Sequence, residues 1–270
     1  MNLEINHRFL QSMSLFFVLI IFAACATIPA PIQQAPVADH FPNVLNLKGV
    51  PDSTTDRSVF AFSDLGAWHG YALPSEQDKT FTGSFIGPFI MTQDNGVWIN
   101  DCLSKLEIIN IKKDKKINLQ EVTIIASNSF PHKLQQIFQT KNPALLIETT
   151  LIFVSNRTAL IKATIQNQSK NEHLELAVRW VGDSFLEGVN FSKHSEGVLI
   201  DFGKNKHVGW ISPAVKNGFT TKIADAKYSF QLQNKKLLPQ EKWDTYLSHS
   251  FYFSEEERQV EAIKLEKIYK

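Results

Sequence analysis

Cysteine is almost missing from this chain: Cys25 and Cys102 are the two present in 270 residues. A disulfide framework is therefore excluded, and the fold must rest on a buried apolar core. An excess of charge of either sign is missing as well. Lys and Arg number 28 against 27 Asp and Glu, a formal net charge of +1, which leaves no field to recruit nucleic acid or an anionic membrane surface. The apolar run Leu15–Ala24 is too short to span a bilayer unaided. Motifs of common chemistry are missing too. There is no Gly-x-Ser-x-Gly elbow, no His-Glu-x-x-His, no phosphate-binding glycine loop and no Asp-x-Asp/Asn calcium loop. No metal and no cofactor are expected. The histidines stand singly, and His132, His173, His194, His207 and His249 read as surface or satisfied strand residues.

What is present begins with an export signal. His7 and Arg8 precede the apolar run, which ends Phe22-Ala23-Ala24-Cys25. Small residues before a cysteine resemble the bacterial lipobox, with Phe22 where leucine is usual. This predicts a signal peptide over 1–24 and a lipidated Cys25, several acyl chains holding the protein more firmly than one. Ala26 then favours the outer membrane, facing the periplasm. The alternative is a simple cleaved signal and a periplasmic or secreted protein. Four prolines between Ala26 and Pro42 make residues 25–42 a semi-extended tether. With Cys25 used by lipid, Cys102 stands alone and reads as a small buried hydrophobe.

From residue 43 onward, period-two alternation dominates. Leu174, Leu176, Val178 and Trp180 share one strand face; Ala159, Ile161, Ala163 and Ile165 share another, as do Tyr228, Phe230 and Leu232. Ser155-Asn156 and Gly203–Lys206 have hairpin spacing, and Lys112–Lys116 reads as a solvated hairpin tip. Trp98, Trp180, Trp210 and Trp243 fall within alternating strands and read as core. The fold class is all-β, a large antiparallel sandwich over 43–253. Ser254 followed by Glu257 forms a capping box that opens a helix over 254–270, with Val260 and Ile263 on one stripe. Two readings of that helix stand open: a linker into a further domain, or a helix packed on the sandwich.

The most pointed segment is Asp64-Leu65-Gly66-Ala67-Trp68-His69-Gly70, followed by Leu73 and Pro74. An indole face can stack on a pyranose, an imidazole can bond its hydroxyls, and the flanking Gly66 and Gly70 permit tight turns or close backbone approach. Equally, Trp68 can be a core or inter-domain packing residue with His69 bonded to backbone. Glycoside hydrolysis needs two facing carboxyl groups; Asp64, Glu76 and Asp78 are the nearest acids, and turn-capping or solvated-loop roles suit them. These seven residues, with Asn43–Asn46 and Gly49-x-Pro51 before them, resemble the N-terminal segment of bacterial glycoside hydrolase family 63 α-glucosidases. The resemblance implies a super-sandwich that packs on an (α/α)6 catalytic barrel, with Ser254 onward leading into it. The family's catalytic carboxylates belong to that barrel, so none carries over to a residue here. The expected function is a non-catalytic module shaping a sugar pocket, with Asp64, Trp68 and His69 as carbohydrate or inter-domain contacts. The alternatives are a free-standing lipoprotein that binds an α-glucoside or oligosaccharide, and a small mutarotase-like enzyme.

Overall fold

Alternation becomes paired strands throughout the described residues, which in the computed structural model are 43–44, 61–62, 69–77, 79–91, 96–130, 133–202, 208–213, 218–252 and 254–268. A five-stranded sheet runs in chain order: β1 (Asn43–Val44), β2 (Ala61–Phe62), β3 (His69–Ala72), β4 (Ile86–Met91) and β5 (Gly96–Trp98). A six-stranded sheet contains β6 (Lys105–Asn110), β7 (Lys115–Lys116), β12 (Leu174–Asp183), β16 (Phe219–Ala224), β17 (Lys227–Leu232) and β18 (Lys235–Leu237). Its main order is β16-β17-β12-β6-β7, and β18 also pairs with β12. The third sheet has eight strands. These are β8 (Thr123–Phe130), β9 (Lys133–Thr140), β10 (Leu145–Phe153), β11 (Thr158–Asn167), β13 (Asn190–His194), β14 (Gly197–Asp201), β15 (Val208–Ser212) and β19 (Lys242–Tyr252), ordered β13-β14-β15-β19-β11-β10-β9-β8. Every named strand pairing is antiparallel.

The turns follow their sequences. β10 and β11 meet across Val154–Arg157, where the Ser155 hydroxyl accepts the amides of Arg157 and Thr158 at 3.0 and 3.1 Å. The lysine-rich tip after β6 is a 3-10 turn over Ile111–Lys113, capped by the Asn110 side chain, before Asp114 turns left-handed into β7. The segment 203–207, expected to be a hairpin tip, lies outside the described residues.

One continuous core takes the inward face of each sheet. Leu174, Leu176, Val178 and Trp180 supply it from β12, Ala159, Ile161, Ala163 and Ile165 from β11, and Tyr71 and Ile90 from the five-stranded sheet. Trp180 is wholly buried, Trp243 packs against the core from the side, and Trp210 is buried on the outward face of β15. Helix α1 (Glu255–Ile268) starts where Ser254 Oγ accepts the Glu257 amide at 3.3 Å. The result is the all-β sandwich with a C-terminal helix that the strand pattern predicts.

Gly182 is the tightest point of this packing. It sits in phase with Trp180 on β12, and a Cβ there would stand 1.9 Å from the Leu103 carbonyl and 2.4 Å from the Tyr228 ring. Neither backbone nor a core tyrosine can yield that much. Gly182→Ala should therefore lower stability by at least the ~1–3 kcal/mol typical of overpacking, read as a fall in the urea midpoint with little change of slope.

Candidate functional site

Of the sequence-selected site residues, Asp64, Gly66 and Trp68 lie outside the described residues, as do Cys25 and Asp78, while His69 and Gly70 open β3. Every residue of β3 is buried. His69 and Tyr71, two apart, point to one side of the strand. The His69 ring has no solvent exposure and meets Tyr71 at 5.9 Å, Phe153 of β10 at 5.4 Å and Phe251 of β19 at 4.9 Å between centroids. It thus fills the gap between β3 and the eight-stranded sheet. Gly70 serves close approach: its carbonyl lies 2.8 Å from where a Cβ of Gly87 would stand, and Gly87 has φ +113°. Glu76 is exposed on a bend.

Beside His69 runs a buried chain of hydrogen bonds. The Tyr71 hydroxyl is 3.0 Å from His249 Nδ1, and His249 Nε2 is 2.6 Å from Ser104 Oγ. Ser104 Oγ bonds the Tyr228 hydroxyl, which donates to the Leu103 carbonyl at 2.9 Å. Proton counting fixes the direction of the whole chain. Tyr228 has one proton and spends it on Leu103, so Ser104 must donate to Tyr228. Ser104 then accepts from His249, which places the imidazole proton on Nε2 and leaves Nδ1 to accept from Tyr71. The chain links β3, β19, the entry to β6, and β17, and so ties all three sheets.

Burial governs the chemistry of these groups. It holds His249 down to about 3, and His69 likewise to about 3, where the neighbouring His249 and Arg157 charges add to the effect. Both tyrosine hydroxyls are pushed up. The Cys102 thiol, also raised by burial, to about 12, donates to the Ser104 carbonyl at 3.4 Å. A thiol so held is not a nucleophile at neutral pH; Cys102 packs as the small hydrophobe its sequence context suggests. No group of three or more His, Cys, Asp or Glu among the described residues is placed to hold a metal ion.

A second constellation joins α1 to the eight-stranded sheet. Glu261 is buried, with its carboxylate accepting from Thr158 Oγ1 at 2.8 Å and from the Ser155 hydroxyl. Glu257 pairs with Arg157 at 2.8 Å, and the Arg258 guanidinium lies 5.1 Å over the Trp210 ring. The helix therefore turns a charged side to the sandwich. Val260 and Ile263 look outward, 56% and 60% exposed. Sequence reasoning selected Val260 and Ile263 as a stripe but not Glu261, Arg157 or the chain through His249. The signal for His249 was its phase with Leu247 and Phe251.

The profile of glucosidase YgjK N-terminal domains matches residues 49–197, more than half of the chain. The chain belongs to the glucosidase YgjK N-terminal family. Solved structures resemble this YgjK-type sandwich at low identity. The Slr1438 protein from Synechocystis sp. PCC 6803 aligns at 8% identity and TM-score 0.50, over 76% of this chain and 99% of that one, a likeness of fold. A protein assigned as a kojibiose phosphorylase from the human microbiome aligns at 10% identity and TM-score 0.47, over 77% of this chain. One assigned as an aldose 1-epimerase from Escherichia coli K12 gives 7% and 0.45, over 72% of this chain and 96% of its own length. The chain spans 29% of the kojibiose phosphorylase's length.

The two depressed imidazoles set the acid response. Their unfolded value is near 6.5 and their folded value about 3, so between those limits the unfolded state binds more protons and stability falls as pH falls. Arg157 acts on His69, the Tyr71 hydroxyl bonds His249, and the two imidazoles act on each other. Stability should be level above pH ~6.5 and decline below it, each pKa unit counting for about 1.4 kcal/mol. His249→Leu should cost about 1–3 kcal/mol at pH 7, by stranding the Tyr71 hydroxyl, yet flatten the acid limb. Urea titrations at a series of pH values read both effects.

Proposed function

We propose that this chain acts as the non-catalytic N-terminal module of a family 63-type α-glucosidase, packing on an (α/α)6 barrel and shaping its sugar pocket. The observation that carries the reading is the orientation of α1. Two apolar side chains on a helix would ordinarily turn inward, but here buried Glu261 and the Arg157–Glu257 pair hold the polar side against the sandwich. Removing one partner of such a buried polar contact is costly, so the orientation is firmly held. Val260 and Ile263 then present an apolar strip to whatever domain lies against the helix. Membership of the YgjK N-terminal family supports a catalytic barrel as that domain. The Asp64–Gly70 segment ends in the buried strand that carries His69.

The test supplies the cognate barrel in trans and reads both association and α-glucoside hydrolysis. The chain alone should hydrolyse nothing above buffer, and it should bind the barrel. Val260→Asp with Ile263→Asp should weaken that binding by about tenfold or more, as expected for losing two buried aliphatic contacts, with the urea midpoint unchanged. Hydrolysis by the chain alone, or binding indifferent to both substitutions, would overturn the reading.

For localisation we propose an exported lipoprotein of the outer membrane, facing the periplasm, with residues 1–24 removed, Cys25 lipidated and 25–42 as tether. The Ala23-Ala24-Cys25 context supports this. Cys25→Ser should abolish incorporation of labelled palmitate and move the protein from the membrane to the soluble fraction, since two or more acyl chains are what make anchoring stable. Palmitate labelling that persists in Cys25→Ser would reject it.

A further inference from the structure

The outward face of the six-stranded sheet carries an open trough of about 400 Å³. Strand register explains its shape. Lys105 of β6, Val181 of β12, Ser229 of β17 and Lys222 of β16 stand opposite one another in a single row across four strands. Three strand spacings separate the two lysines, about 14 Å. The short side chains of Val181 and Ser229 form the floor between them, and Ala224, beside Lys227 in the next row, extends it. Two long cationic walls over a small-residue floor make a slot, where a sheet with bulky residues in this row would be flat.

The charges in the slot are unevenly satisfied. Four cations and two carboxylates line it. The Glu107 carboxylate is taken by Arg179, whose Nε donates at 2.7 Å, and by Lys116. Asp183 is engaged by the Asn100 amide. Lys105, Lys222 and Lys227 have no carboxylate within ion-pair distance among the described residues; Lys105 instead lies 4.9 Å over the Phe81 ring. Three cations thus remain for a ligand's negative charge, while Ser229 and the Glu107–Arg179 pair offer hydroxyl-bonding groups between them. One row further along, Thr220 and Gln231 sit opposite each other and line a second hollow of about 260 Å³ with Asn234. Neutral polar amides and hydroxyls continue the charged slot, and that sequence suits a chain of hydroxylated rings better than a compact anion.

We propose that this trough is a binding site for an acidic oligosaccharide, with one anionic sugar held between Lys105, Lys222 and Lys227 and following sugars along Thr220 and Gln231. The anion can be a carboxylate or a sulfate, and the lysines serve either. The site lies apart from α1, so its success or failure is independent of barrel docking.

Calorimetry with the full-length chain tests it, using tetragalacturonate, a carrageenan tetrasaccharide (sulfated, without carboxylates) and maltotetraose as probes. At least one acidic probe should bind, more weakly as salt rises, and maltotetraose should not bind comparably. Lys222→Ala with Lys227→Ala should weaken that binding about tenfold or more, the scale of losing charge-assisted hydrogen bonds. Lys242→Ala, on the eight-stranded sheet, should leave it unchanged. Binding of tetragalacturonate alone assigns the carboxylate, and binding of the sulfated probe alone assigns the sulfate. The proposal is overturned if neither acidic probe binds, if maltotetraose binds equally, or if the trough substitutions act no more strongly than Lys242→Ala.

Discussion

The hydrogen-bond chain from Tyr71 through His249 and Ser104 to Tyr228 is the interaction on which the rest of this sandwich depends. Apolar packing alone would let three sheets slide, because burial is proportional to area and indifferent to direction. A buried polar chain is directional. Each hydroxyl and ring nitrogen in it would lose its partner if β3, β19, β17 or the Leu103–Ser104 corner shifted, and an unsatisfied buried group costs more than a satisfied one contributes. The chain therefore fixes the sheets' relative positions, which the core only holds together.

That constraint reaches the end of the Asp64–Gly70 segment. His69 stands two residues from Tyr71 on the same strand face, so the bond that seats Tyr71 also seats His69 against Phe153 and Phe251. The Cys102 thiol, just before β6, and the Gly182 contact of the six-stranded sheet crowd the same corner, within reach of Leu103, Ser104 and Tyr228. His69 and Gly70, the end of that segment, are thus anchored beside the bonded chain that joins the three sheets.

How much was legible in the sequence depends on whether a local period carried it. Leu174 to Trp180, Ala159 to Ile165 and Tyr228 to Leu232 were readable as strand faces because side chains alternate by geometry alone, and all of them turn inward. The capping serine at 254 was readable because its partner lies three residues on. His249 was read as a surface or satisfied strand residue; its phase with Leu247 and Phe251 is that of the inward face, but its partners were not legible. Its partners are 178 residues away at Tyr71 and 145 away at Ser104, and no local rule pairs them. Glu261 was missed for the same reason. A carboxylate in a helix reads as solvated, and what buries this one is Thr158, 103 residues earlier. The trough was hidden because it is a row across four strands, and rows exist once register is set.

The division between inside and outside follows from that register. The inward faces of the six- and eight-stranded sheets meet in one core, so their outward faces look away from each other. Helix α1 is fastened to the outward side of the eight-stranded sheet, at Thr158 and Trp210. The cationic trough occupies the outward side of the six-stranded sheet, at Val181 and Ser229. A domain seated on Val260 and Ile263 would therefore leave the trough open, and a saccharide lying in the trough would not contest the helix. One core, keyed by buried polar bonds, can in this way hold two chemically different features, the exposed Val260 and Ile263 on one side and the cationic slot on the other, without either constraining the residues of its opposite.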